Sequence, residues 1–276
     1  MSAIARKRPW SRRRSVIVGM QVAILVIVLV VWELGARTRY DEEHFLIDPF
    51  LWSRPLRIWT RILEWMGDGT ILRNVFTTLY EAAVGFVLGV AAGVVAGFLL
   101  GRSDFWARVL TPYIQVINAL PRLVFTPIFF IVFGLGPNSK IALSFSLVFF
   151  IVFFNAYQGV REVDRNVFNN ALMLGAEGRQ MTRHVLLPSA MSWILISLHT
   201  SVGFAMVGAI VGEYLGSSTG LGHIINQAEG NLDTTGVFAG LIVLSAVVVV
   251  VELLVTQVER RLVKWKPPQA GELLAA

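Results

Sequence analysis

The sequence predicts an all-α membrane protein with six transmembrane helices, and three observations predict it. Of 276 residues, 55% are hydrophobic and only 15% charged, with a mean hydropathy of +0.65; a soluble domain carries about 25% charged residues. Six apolar runs approach or exceed the roughly 20 residues that a helix needs to cross the hydrocarbon core. The Arg and Lys residues gather beside alternate runs, as in a chain that keeps its basic loops on one side of a membrane.

The runs fall at residues 15–35, 75–100, 109–133, 139–157, 190–215 and 237–258. The third is interrupted by Pro121 and Pro127. The first follows a basic N-terminus, residues 1–14, with Arg6, Lys7, Arg8, Arg12, Arg13 and Arg14. Its apolar stretch 16–32 is longer than the core of a secretory signal, and no small-x-small cleavage site follows, so it reads as an anchor. Arg102 and Arg108 follow the second run, Arg161, Arg165, Arg179 and Arg183 the fourth, and Arg260, Arg261, Lys264 and Lys266 the sixth. Six spans place all of these on the cytoplasmic side with both termini. The chain then divides into a cytoplasmic N-terminus (1–14), a first span (15–35), an extracytoplasmic segment (36–74), a core of five spans (75–258) and a cytoplasmic tail (259–276). The net charge of +6 does not point to nucleic acid, because the basic residues flank apolar spans.

Within 36–74, Leu56, Trp59, Ile62, Leu63 and Met66 recur at helical spacing between Arg57, Arg61 and Glu64. This predicts a short amphipathic helix at the outer interface. In the second span Gly85, Gly89, Gly93, Gly97 and Gly101 recur every fourth residue and share one helix face. Such a face lets another helix approach closely where lipid supplies no hydrophobic drive. A leucine at Gly93 is therefore expected to impair assembly.

The cytoplasmic segment between spans four and five predicts a short helix over 164–175. Asp164 suits the N-cap, Val167, Ala171 and Leu174 share a face, and Gly175 suits the stop. A second helical piece leads to Leu187-Pro188, where proline can open the next span. The exposed face carries Asn166, Asn169 and Asn170 rather than lysines, which favours a protein partner over anionic lipid.

This loop resembles that of ABC importer permeases, which carry Glu-Ala-Ala, three residues, Gly, and then a hydrophobic-Leu-Pro ending. Gly175 and Pro188 stand thirteen residues apart and Ala171 matches the second alanine, while Asn169 and Asn170 replace the Glu and the first Ala. The literal tripeptide Glu81-Ala82-Ala83 lacks the following Gly and Leu-Pro. The resemblance spans roughly Leu46 to Trp265. It includes Asn118-Ala119-Leu120-Pro121-Arg122, Phe133-Gly134-Leu135-Gly136, Gly212-Glu213-Tyr214-Leu215 and Gly220-Leu221-Gly222, and is closest to the branch importing nitrate, sulfonates, taurine and certain pyrimidines or vitamins. Thr78-Leu79-Tyr80-Glu81 departs from that branch's Ser-Leu-x-Arg.

The resemblance implies a type I importer fold, a second permease copy, an ABC ATPase dimer that carries ATP and Mg, and an extracytoplasmic binding protein. The chain has no Gly-x-x-x-x-Gly-Lys-[Ser/Thr] phosphate loop, in keeping with an ATPase on another chain. It implies that Asp164, Val167, Phe168, Asn169, Asn170, Ala171, Leu172, Leu174, Gly175, Leu187 and Pro188 couple to the ATPase. Polar or helix-breaking residues in or near spans are the substrate-pathway candidates: Asn118, Pro121, Arg122, Asn155, His199 and Glu213. With no cysteine, no His-Glu-x-x-His and no Gly-x-Ser-x-Gly, neither a metal site nor a catalytic site is expected. The alternative class is an ion-coupled secondary transporter or channel, which internal inverted repeats would betray; none is evident.

Overall fold

The computed structural model describes residues 14–38 and 47–262. The basic stretch 1–13, residues 39–46 of the outer segment, and the tail 263–276 with Lys264 and Lys266 lie outside the described residues. Among the described residues there is no strand. In chain order the α-helices are α1 (Arg14–Arg37), α2 (Pro49–Trp52), α3 (Pro55–Gly67), α4 (Thr70–Gly101), α5 (Asp104–Ala119), α6 (Thr126–Phe133), α7 (Pro137–Arg161), α8 (Arg165–Met173), α9 (Arg179–Met181), α10 (Leu187–Gly216), α11 (Leu221–Gly230) and α12 (Thr234–Leu262). Among the described residues five helical stretches, carrying α1, α4, α7, α10 and α12, are long and apolar enough to cross a membrane, and a sixth crosses if the bent pair of α5 with residues 122–133 is one span.

That bent pair gives form to the interruption expected at Pro121 and Pro127. The two halves meet at 82°. A residue before proline is driven out of the helical region, and Leu120 sits at φ −75, ψ 133 ahead of Pro121. A 3₁₀ turn over Arg122–Phe125 follows. Pro127 then lies in the first turn of α6, where its missing N–H costs nothing.

The described residues form two compact units, one of residues 14–38, 47–68 and 228–239 and the other of residues 69–227 and 240–262. In the first, Glu33 of α1 accepts from the Leu56 amide at 3.1 Å and Trp32 meets Phe238 edge-on at 5.6 Å. Arg61 of α3 pairs with Asp233 at 2.5 Å. The helix expected around Leu56–Met66 is present as α3, but its faces differ from the expectation. Ile58 and Ile62 are buried within the protein, while Leu56, Trp59, Leu63 and Met66 stay exposed. Ile62 therefore belongs to the packed face, one turn from Ile58, and not to the outward one.

In the second unit α7 is the central helix. The glycine stripe of α4 lies against it: an added Cβ at Gly93 would stand 2.8 Å from the Phe149 carbonyl, and at Gly97 2.3 Å from the Phe153 carbonyl. On the other side Gly208 of α10 meets Ser144 and Gly159 of α7 meets Ala190, both closer than 3 Å to a hypothetical Cβ. The Ser144 hydroxyl donates to the Ala205 carbonyl at 3.0 Å, a bond that joins α7 and α10. The core between these helices is correspondingly small-grained: Ala82, Val148, Val152, Ala205, Met206 and Ala209, then Ala156, Val160, Ala190 and Ile194. Close backbone approach, rather than burial of large side chains, holds this unit.

The segment 216–236 between the fifth and sixth apolar runs contains α11. Leu221, Ile224 and Ile225 lie on one face and are buried, a short period obscured in the sequence by Gly220, Gly222 and Gly230.

Candidate functional site

The loop between α7 and α10 folds as a capped helix. The Asp164 carboxylate accepts from the Asn166 amide at 2.7 Å, satisfying an N-terminal donor. At the other end Gly175 takes φ +80. Its amide donates to the Leu172 carbonyl and the Ala176 amide to the Ala171 carbonyl, each at 2.9 Å. These two bonds are the paired closures of a Schellman stop, which glycine permits at low cost.

No residue of α8 is buried. Val167, Leu172, Met173 and Leu174 are exposed, Leu174 at 87%, and Phe168 and Ala171 are half-buried. Asn169 and Asn170 are exposed beside them. Met173, absent from the sequence-derived set, extends the apolar run Leu172-Met173-Leu174. A nine-residue helix fixed at both ends thus presents apolar side chains that nothing among the described residues covers.

Behind α8 the chain is helical without a break from Arg179 to Gly216. Residues Thr182–Leu186 form a π turn in which the Leu187 amide reaches back to the Thr182 carbonyl. Pro188 has no amide hydrogen to give its turn, and the wider turn absorbs the missing bond. The Leu187-Pro188 joint therefore continues a rod that begins at α9, where the sequence suggested a fresh start. Met181 and Val185 are buried, and Ser189 donates to the Gly159 carbonyl of α7 at 3.1 Å.

A second cluster joins α4, α7 and α10. Glu81, Lys140 and Glu213 are each at most 1% exposed. Glu213 accepts from the Thr78 hydroxyl at 2.7 Å and from the Gly222 amide at 2.9 Å. The Leu221 amide donates to the Thr78 hydroxyl at 3.0 Å and the Gly220 amide to the Asn74 side chain at 2.6 Å. Three successive amides of the Gly220-Leu221-Gly222 turn are thereby held by side chains of α4 and α10. Gly220 sits at φ +104 with its α-carbon over Glu213, where a Cβ would stand 2.1 Å from the carboxyl carbon.

Glu81 faces Glu213 electrostatically within the same buried cluster. Lys140 interacts electrostatically with both, while its ammonium donates to the carbonyls of Leu135, of Gly136 at 3.1 Å and of Gly216 at 2.6 Å. Sequence reasoning singled out Glu213 alone. The signal for the other two was available, since each is a charge within or at the mouth of an apolar run.

The remaining pathway candidates do not converge on one point. Asn118, Pro121 and Arg122 form a group at the break after α5, with Arg122 donating to the Asn118 carbonyl oxygen and its guanidinium 4.6 Å from the Phe150 ring centre. Asn155 donates to the Ile151 carbonyl of its own helix at 2.8 Å. His199 of α10 meets Glu252 of α12 at 2.8 Å.

The family described as "Binding-protein-dependent transport system inner membrane component" matches residues 89–264. The chain belongs to this family. A protein named as an aliphatic sulfonates transport permease, SsuC of Bacillus subtilis, is 31% identical over 268 residues, covering 96% of this chain and 94% of the relative. The formylaminopyrimidine transport permease protein ThiX of Halalkalibacterium halodurans is 27% identical over 244 residues, 88% of this chain and 94% of its own. The taurine transport system permease protein TauC of Escherichia coli is 27% identical over 266 residues, 95% and 94% of the two chains. Among solved structures, the inward-facing MetNI methionine ABC transporter aligns with TM-score 0.55 at 18% identity, covering 73% of this chain and 96% of that one. An amino acid ABC transporter aligns with TM-score 0.58 at 22% identity, covering 73% and 97%.

The chain is thus a multi-pass inner-membrane permease of the ABC importer type, with the all-α fold of those solved relatives. The family match takes in all of α7 to α11, including the α8 loop, the π turn and Glu213. Asn74, Thr78 and Glu81 lie N-terminal to it, so the α4 half of the buried cluster lies outside the matched stretch. The ion-coupled alternative has no support from the family.

Proposed function

We propose that two copies of this permease line a path for a small solute and alternate its access between the two membrane faces. The drive is ATP hydrolysis, with Mg, on a separate ATPase dimer that docks on the 164–175 helix. The observation that carries the proposal is the uncovered apolar face of α8, held rigid by Asp164 and Gly175. An amphipathic helix fixed in this way suits a groove on a soluble partner. Val167, Phe168, Ala171, Leu172, Met173 and Leu174 are the buried anchors in that complex, with Asn169 and Asn170 at its edge. Motion applied to α8 passes through α9 and the Leu187-Pro188 joint into α10, because the chain between Arg179 and Gly216 is one helical rod.

An extracytoplasmic binding protein delivers the solute on the opposite face. The solute is a sulfonate such as taurine or a pyrimidine or vitamin-type compound, the kinds named for the relatives, or nitrate, which the sequence resemblance adds. Both termini are cytoplasmic. The ion pair of Arg161 with Asp104 supports this arrangement, because it joins the segments after spans two and four on a single side.

Ala171→Arg and Gly175→Asp test the coupling. A non-glycine residue in the left-handed region costs about 1–2 kcal/mol, enough to loosen the stop without disturbing the spans. In cells, both variants are expected at wild-type levels in the membrane with ATP-dependent uptake of the solute abolished. Unchanged uptake in both would refute coupling through α8.

A further inference from the structure

The break in the α5–α6 span raises a question that permease membership leaves open: the charge of the solute. Sixteen residues of α5 precede the break, about 24 Å of helix at 1.5 Å per residue. Arg122 follows directly, far from either end of the segment. Its surroundings differ from those of the paired cations of the spans and their ends. Arg37, Arg61 and Arg161 each meet a carboxylate, and Lys140 is enclosed by three carbonyls. Among the described residues Arg122 has no carboxylate within 4 Å. Its one hydrogen bond is to the neutral Asn118 side chain. One face of its guanidinium lies over Phe150, and its Nε is buried with no acceptor.

An arginine stacked on an aromatic ring has a fixed plane, and the donors left unpaired on its planar fork suit carboxylate, sulfonate or phosphate oxygens. An ionised side chain deep in a span is retained for a partner or a path. Pro121 ensures that the backbone here is not continuous helix, which membranes tolerate where a cavity or a neighbour is present.

We propose that Arg122, oriented by Asn118 and Phe150, binds the anionic group of the solute in the transport path, so that the cargo is a small oxyanion such as an alkyl sulfonate rather than an uncharged heterocycle. This rests on the permease reading above. The same chemistry would also accept a lipid phosphate, and the test separates the two.

The test uses the full chain co-purified with its ATPase in a maltoside detergent, melted with increasing sodium ethanesulfonate against sodium chloride of equal ionic strength. Uncharged dimethyl sulfone serves as a second control. Ligand binding to the folded state raises the melting temperature by about 3 °C at roughly ten times its dissociation constant. The expected result is a saturable rise with ethanesulfonate in the wild type, none with dimethyl sulfone, a smaller rise in Arg122→Lys and none in Arg122→Gln, the variants melting like the wild type without ligand. Equal rises in wild type and Arg122→Gln, or no rise in the wild type, would overturn the assignment. So would a rise given by phosphatidylglycerol and not by ethanesulfonate, which would assign Arg122 to a lipid headgroup. So would loss of the second permease copy in Arg122→Gln, which would assign Arg122 to a carboxylate across the dimer. Because the readout is binding and not ATP-driven uptake, it can fail while the α8 coupling test succeeds.

Discussion

Gly97→Ala is expected to destabilise the permease by about 2–3 kcal/mol, the upper range for overpacking a filled interior, although alanine is the better helix former. The new methyl would stand 2.3 Å from the Phe153 carbonyl oxygen and 2.9 Å from the Ala156 Cβ. The first of these is backbone inside a long helix and cannot swing aside. Gly203→Ala is the matched control, because nothing lies within 4 Å of the added Cβ there; it should be neutral or slightly stabilising, as helix propensity alone predicts. Thermal unfolding in detergent separates the two. Equal melting temperatures for both variants would show that α4 and α7 do not pack along the stripe.

The second large effect belongs to Glu213. Glu213→Ala removes the buried acceptor of the Thr78 hydroxyl and of the Gly222 amide. Breaking one member out of a buried charged network costs about 3–5 kcal/mol, because the groups left behind cannot reach water. The expected outcome is a lower melting temperature together with protease cleavage in the 217–222 turn, whose three amides lose their anchor. Glu81→Gln should be far milder, since it keeps the size and polarity of the side chain and leaves the Thr78 and Gly222 bonds of Glu213 in place. A mild Glu213→Ala with an intact turn would mean that the turn holds itself.

The contrast between these two regions explains what the sequence made legible. The glycine stripe and the caps of α8 are local or periodic features. A residue every fourth position or an Asp-to-Gly spacing is written along the chain, and the structure realises both at Gly85–Gly101 and at Asp164 and Gly175. The Glu81–Lys140–Glu213 cluster is tertiary. Its members lie on three helices about 60–70 residues apart in sequence, and only the packing of α4 and α10 on α7 brings them together. Ile58 and Ile62 illustrate a related limit: periodicity announced an amphipathic helix, but which of its apolar residues meet protein depends on tertiary packing. Pro121 announced an interruption, whereas its 82° consequence depends on what lies beside the break.

The central claim is that α8 is the handle by which a separate ATPase moves this permease. The most direct measurement is purification of tagged chain from native membranes in mild detergent, with identification of its partners and an assay of ATP hydrolysis, for the wild type and Gly175→Asp. The account predicts an ABC ATPase with the wild type, lost or greatly diminished with Gly175→Asp while the permease itself remains folded. A wild-type chain that purifies without an ATPase and still moves solute, or an ATPase retained undiminished by Gly175→Asp, would contradict it.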